Sequence, residues 1–231
     1  MVRRARGTVG GFIYHAMNRG VSRMELFEST TDYHAFLAII REVQDKCPVD
    51  LFSYCIMPNH WHMVLRTAED GDLAAFMQRL TTTHARRWRM NRHSVGVGYV
   101  YQGRYRSFPM RSGVHFLKVC RYVERNALRA NLCRSSENWR WGSLWQRENR
   151  PNHVELPLLC NWPVSMPRDW IRKVNRPENK EELEALRVCA QRGRPFGDAD
   201  WVQSTIEKLG LEHTFRHRGR PFKKSKKKGT G

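Results

Sequence analysis

Acidic residues are scarce: 22 Asp+Glu stand against 41 Lys+Arg in 231 residues, a formal charge of +19. That imbalance excludes a basic partner and calls for a polyanion, with nucleic acid first and an anionic membrane surface second. Long apolar runs are also absent. None approaches the ~18 residues of a membrane-spanning helix, so no membrane partner is expected. Met1 to Gly11 holds arginines but no apolar stretch before a small-residue cleavage site, so no secretory leader is read there. The six cysteines are scattered without a C-x-x-C pair. Neither a zinc ribbon nor a disulfide framework is indicated, and free thiols in a reducing cytoplasm fit. No G-x-x-x-x-G-K-[ST] loop occurs, which removes the P-loop nucleotide-binding class.

What is present is a globular composition, 40% hydrophobic and 11% aromatic. Phe12 to Asn18 reads as a strand ending at Arg19-Gly20. A helix follows from about Thr31, with Phe36, Leu37, Ile40 and Val43 on one face, and Cys47-Pro48 ends it. Asp50 to Met57 and His60 to Thr67 read as a hairpin turned at Pro58-Asn59. Asp72 opens a long helix with Leu73, Phe76, Met77, Leu80, His84 and Trp88 on its apolar stripe. A Gly- and Tyr-rich connection, a short strand near Tyr105 to Met110 and a helix from Ser112 to Leu132 complete the unit. This order predicts an α+β domain with a ferredoxin-like antiparallel sheet and helices on one face.

The character changes near Trp139. Five of the ten prolines lie between Pro151 and Pro177, and six of the eight tryptophans lie from Trp139 onward. Gln146 to Arg176 reads as an extended connection pinned by aromatics. Charged helices follow at Lys180 to Arg192 and Asp198 to Leu209, and the chain finishes in a basic run, Arg216 to Lys228. The expected units are 1–145, a catalytic domain; 146–215, a Pro/Trp-rich connection with a helical module; and 216–231, a basic, flexible DNA-binding tail.

Two constellations carry chemistry. His60-Trp61-His62 on a strand sends both imidazoles to one face and Trp61 to the other. Two neutral imidazoles make adjacent corners of a divalent metal site. Taken alone, H-x-H reads more often as two ordinary histidines than as a metal site. Tyr122 and Asn126 stand at i, i+4 on a helix and share a face. A tyrosine oxygen is a competent nucleophile toward phosphorus, and an amide oxygen four residues on supplies a hard metal ligand. Taken alone, Y-x-x-x-N reads as a packed tyrosine and a capping amide.

Four segments occur together in order: YHAMNRG (Tyr14 to Gly20), YCIMPNHWHMVLR (Tyr54 to Arg66), YQGRYRS (Tyr101 to Ser107) and RYVERNALRA (Arg121 to Ala130). With them the chain resembles the IS200-like tyrosine transposases of the HUH superfamily, and within these the branch associated with repetitive extragenic palindromes (REP). RGRPFGDADW (Arg192 to Trp201) and the later RGRP (Arg218 to Pro221) resemble that branch too. The resemblance implies metal histidines at His60 and His62, a nucleophile at Tyr122 and a third ligand at Asn126, around Mg²⁺ or Mn²⁺. It implies a single-strand endonuclease and transposase that cleaves and rejoins REP-type hairpin DNA through a 5′-phosphotyrosine. It further implies a bacterial protein of the cytoplasm, at the nucleoid, expected as a monomer rather than a dimer. Many relatives have Asn-Pro where Asn126-Ala127 stands here, and alanine continues a helix readily.

Candidate DNA contacts are Asn18 and Arg19, which are equally turn residues before Gly20. Arg79, Arg86 and Arg87 on the long helix, Arg104 and Arg106 beside the short strand, and Arg218 and Arg220 in the tail complete the set. Arg218 and Arg220 flank a glycine as in a minor-groove AT-hook. Tyr99, Tyr101, Tyr105 and Phe108 are candidates to stack on unpaired bases or to pack in the core. Two rival readings stay open: a non-catalytic hairpin DNA- or RNA-binding regulator of the same fold, and a metal hydrolase using activated water. The second would require more carboxylates near these motifs than the sequence has.

Overall fold

The computed structural model describes residues 8–94, 96, 98–151 and 155–216. The run carrying Arg218 and Arg220 lies outside the described residues. The chain order is β1 (Ile13–Arg19), α1 (Thr30–Lys46), β2 (Asp50–Met57), β3 (His60–Arg66), α2 (Asp72–Asn91), β4 (Arg106–Met110), α3 (Val114–Glu124) and α4 (Asn126–Arg129). Then come α5 (Ser143–Asn149), α6 (Trp170–Asn175), α7 (Lys180–Arg192) and α8 (Ala199–Leu209). The strands form one antiparallel sheet in the order β2-β3-β1-β4. The fold is the expected α+β class with the ferredoxin-like order.

Local chemistry starts these elements. Ser29 and Asp32 form a reciprocal capping box at the head of α1, satisfying two of its orphan donors. Asn179 and Asp198 cap α7 and α8 one-way, each side-chain oxygen accepting from a backbone N–H of the first turn, Glu181 N and Trp201 N.

The layering departs from the expectation of helices on one face, because helices cover both. β2 is buried at every position from Leu51 to Met57. A strand apolar on both alternations needs a cover on each side. On one side Ala16, Tyr54, Ile56, Trp61 and Met63 pack against Phe36 and Ile40 of α1 and Phe76 and Leu80 of α2. On the other, Phe52, Cys55, Val64 and Phe108 pack against Phe116, Val119 and Val123 of α3 and Trp170, Val174 and Leu186 beyond it. The C-terminal helices therefore share a core with the sheet.

β2 is an edge strand, and its exposed ladder groups are taken up by the later chain. Trp139 Nε1 donates to Ile56 O at 2.9 Å, Trp162 Nε1 to Phe52 O at 2.9 Å, and Cys160 N to Leu51 O at 2.9 Å. Covering an edge in this way removes a template for aggregation. Glu124, buried at the end of α3, ties the second layer together. It accepts from Trp170 Nε1 at 2.7 Å, Ser143 Oγ at 2.7 Å and Ser53 Oγ at 3.2 Å.

The single helix expected from Ser112 to Leu132 is two. Arg125 sits between α3 and α4 with ψ −7°, and a turn follows α4 at Ala130. Ala127 lies inside α4 and is buried in the second core.

Candidate active site

β1 and β3 are neighbours in antiparallel register, with Arg19 opposite His60, Met17 opposite His62 and His15 opposite Val64. Opposite residues share a face. His60 and His62 thus stand on the sheet face covered by α3, their ring centroids 5.0 Å apart. Trp61 goes to the other face, fully buried, where its Nε1 donates to the Tyr101 hydroxyl at 3.2 Å.

Each imidazole has one nitrogen held from behind. His60 Nδ1 lies 2.6 Å from Asn59 Oδ1, and His62 Nδ1 lies 2.8 Å from His15 Nε2. This leaves both Nε2 atoms without a hydrogen-bond partner among the described residues and fixes the rings, the usual support of ligating histidines. Burial, then Arg19 and Arg129, hold the His60 pKa down to about 4. Burial, then His60, His15 and Arg129, push His62 well below its ordinary value. Both rings are therefore neutral near pH 7, with lone pairs to offer. His15, fully buried, is held down to about 3 by burial.

The helical layer brings the second pair. The Tyr122 ring stands edge-on to His62 at 5.8 Å between centroids. Burial raises its phenol pKa, and the Arg129 charge opposes that rise. The Arg129 guanidinium lies over the Tyr122 ring, 4.5 Å from its centroid, and donates to Asn126 Oδ1 at 2.9 Å. A guanidinium has only donors, so the amide must turn its oxygen toward it. Asn126 Nδ2 is left buried with no hydrogen-bond partner among the described residues.

These groups line one cleft of about 610 Å³ together with Asn18, Arg19, Arg23, Arg104, Arg106 and Arg187. None of the described lining residues is acidic. Burial and then the charges of Arg23 and Arg106 lower the Arg19 pKa from its ordinary value, a sign of positive crowding. Arg19 is aimed by Gln102, whose Oε1 accepts from Nη2 at 2.9 Å. Asn18 bridges the turn, its Nδ2 donating to Gly103 O at 3.2 Å. Arg104 and Arg106 also line an adjoining cleft of about 590 Å³ that reaches Arg192 and Arg216.

Of the DNA contacts expected from sequence, Asn18, Arg19, Arg104 and Arg106 thus join His60, His62, Tyr122 and Asn126 in one place. Arg79, Arg86 and Arg87 do not, since they project from exposed positions of α2 in the layer over the opposite face. Arg87 is paired with Glu42 of α1 at 2.6 Å. Arg86 edges a third, mostly apolar groove with Arg89, Met90, Tyr99 and Arg104. Of the four candidate stacking aromatics, Tyr101, Tyr105 and Phe108 are buried and Tyr99 is 85% exposed. Sequence reasoning missed Arg129, although i, i+4, i+7 from Tyr122 would have put it on the same face. It also missed Arg187 and Gln191 of α7, which arrive by tertiary packing and carry no local signal.

A family model described as "Transposase IS200 like" matches residues 8–126. No protein of curated function matches the chain. Among solved structures, a REP-associated tyrosine transposase bound to a REP hairpin is similar in fold. Its TM-score is 0.52 at 16% identity, over 72% of this chain and 97% of that one. A provisionally assigned transposase of Deinococcus radiodurans R1 matches at 18% identity over 53% of this chain and 96% of that one. With a TM-score of 0.38, nothing follows from it for this chain.

Proposed function

The chain belongs to the IS200-like transposase family, and from that premise we propose that it is a single-strand DNA endonuclease and strand transferase cutting hairpin DNA with Tyr122. The observation that carries this is the convergence of Tyr122, His60, His62 and Asn126 in one arginine-lined cleft with no carboxylate among its described lining residues. Five arginines around a slot favour a phosphodiester strand over a neutral or cationic substrate. The REP hairpin held by the similar structure supports a REP-like palindrome as the partner here.

The donor set fits a hard divalent cation, Mg²⁺ or Mn²⁺. His60 and His62 are neutral, each braced at Nδ1, and Asn126 Oδ1 keeps one lone pair beside the bond it accepts from Arg129. When bound, such an ion supplies charge neutralisation and polarisation at the scissile phosphate. The protein's own groups do the rest. Arg19, Arg104 and Arg106 hold the strand by its phosphates. Asn126 Nδ2 offers a donor to a phosphate oxygen. The Tyr122 oxygen attacks phosphorus, forming the Tyr–O–P bond as the P–O3′ bond breaks. The phenol proton is lost to solvent, and the departing 3′ oxygen takes up a proton to become a 3′-OH. Reversal by a 3′-OH rejoins strands with no external energy source. The lack of acidic residues among the described lining residues speaks against a hydrolase that activates water.

The test is an end-label experiment on a hairpin with a single-stranded flank. A 5′-phosphotyrosine leaves a 3′-end label on the protein after denaturing electrophoresis and releases a 5′-label on a shortened free strand. Cleavage that leaves neither label on the protein would identify water as the nucleophile and overturn this reading.

A further inference from the structure

The site's helices carry arginines at positions 121, 125 and 129, one stripe at a spacing of four. In so basic a protein these would be assigned to DNA. The structure spends them on the protein itself. Arg121 Nη2 donates to Arg176 O at 2.8 Å and Pro177 O at 2.9 Å. Arg125 Nη1 donates to Val174 O at 3.0 Å and Asn175 O at 2.5 Å. Both Arg125 and Arg129 pair with Glu178, at 3.1 and 2.7 Å. The Glu178 side chain is only 3% exposed, and these two guanidinium groups are its ion-pair partners among the described residues.

Arg129 is where the stripe meets the chemistry. One arm of its fork, Nη1, is held by Glu178. The other, Nη2, holds Asn126 Oδ1, while the planar carbon covers the Tyr122 ring. Resting on the function proposed above, we propose that Arg129 is a positioning residue, anchored by Glu178, that sets the attack geometry of Tyr122 and the amide of Asn126. Glu178 lies outside the segment that matches the family, residues 8–126. The connection between α6 and α7 therefore controls a site whose reacting groups all lie within that segment. Lysine cannot take over this task, because one ammonium on a flexible stem does not hold two partners at fork geometry.

The experiment uses the full chain, a 3′-labelled hairpin and Mn²⁺. Wild type and Tyr122→Phe come first on the gel. A wild type that forms no adduct fails the proposed function itself, and this proposal falls with it. With the adduct present, single-turnover cleavage and Mn²⁺ affinity, read by spin resonance of the ion, are measured for Glu178→Gln, Arg129→Met and the pair. Misplacing reacting groups by an ångström costs rates on the order of 10²-fold. Glu178→Gln should therefore slow cleavage roughly 10-fold and Arg129→Met up to about 100-fold, with hairpin binding nearly kept. If Glu178 acts through Arg129, the double variant is no slower than Arg129→Met alone, and Mn²⁺ affinity shows the same coupling. A double variant whose loss is the product of the two, or a Glu178→Gln enzyme at the wild-type rate, overturns the proposal. Should Glu178→Gln not fold, Arg129→Lys decides: it retains an ion pair with Glu178, and a wild-type rate from it overturns the proposal equally.

Discussion

Replacing Arg104 and Arg106 together by alanine tests whether the cleft's charge is phosphate-binding charge. Both residues are exposed, both line the cleft, and neither forms an ion pair among the described residues. Their charge is therefore available to a ligand. Each phosphate neutralised on a single strand contributes about 0.7 to the slope of log affinity against log salt. Two contacts predict a slope shallower by about 1.4 in the double variant. Between 50 and 200 mM salt, wild type should then lose roughly sevenfold more affinity than the variant. Fluorescence anisotropy of a labelled hairpin with a single-stranded flank, at four salt concentrations, reads this directly. Arg87→Ala is the internal control, because its charge is already taken by Glu42 at 2.6 Å. Its slope should stay at the wild-type value. Weaker binding with an unchanged slope in the Arg104/Arg106 variant would refute the phosphate assignment and give these residues to base edges or packing. An unchanged affinity would take the strand out of this cleft altogether.

Tyr122→Phe should abolish the covalent adduct while hairpin binding stays within about twofold, since the ring and its Arg129 contact are kept; an adduct surviving in the Phe protein removes Tyr122 as nucleophile. His62→Ala should reduce cleavage to the level of wild type in EDTA, and cleavage indifferent to EDTA would dismiss the metal role. Trp170→Phe removes the donor to buried Glu124 at 2.7 Å and should cost about 1.5–3 kcal/mol, read as a lower urea midpoint at constant m. His84, buried and stacked on Phe27, titrates at about 3 in the folded protein against an ordinary 6.5. Between those values only the unfolded chain binds the proton, so His84's contribution is complete above pH 6.5 and is lost as pH falls toward 3. Urea unfolding should show a loss on the order of 2 kcal/mol from this residue between pH 7 and 5, absent in His84→Gln.

The strands were legible because the residues alternate or run apolar over short lengths, and the antiparallel order follows from tight hairpin and crossover lengths. The facing of His60 and His62 was legible for the same reason, since a two-residue repeat leaves no other option. The second helical layer was harder to see. Phe52, Cys55 and Val64 announce a buried face, but nothing local says that Trp170 and Leu186, a hundred residues later, will cover it. The tryptophans of the connection were recognisable as pins, whereas their targets, the edge carbonyls of β2, were not. Arginines were the least legible class. Arg87, Arg106 and Arg129 look alike in sequence, yet one pairs with a neighbouring helix, one is open to solvent and one covers the tyrosine. Which fate each meets depends on where the few carboxylates, such as Glu42 and Glu178, end up.

The shared second core bears on when the proposed site is completed during synthesis. Once residue 126 has left the ribosome, every proposed reacting group is present, but the sheet face beneath them still lacks Trp170, Val174 and Leu186. Glu178 has not yet arrived to fix Arg129 either. At about 5–20 residues per second, the stretch from 127 to 216 takes roughly 5–20 s to emerge. Through that interval the nascent chain has its proposed nucleophile without a finished pocket. On the function proposed above, chain order thus keeps the strand-cutting site unfinished until Glu178 and Leu186 have been made.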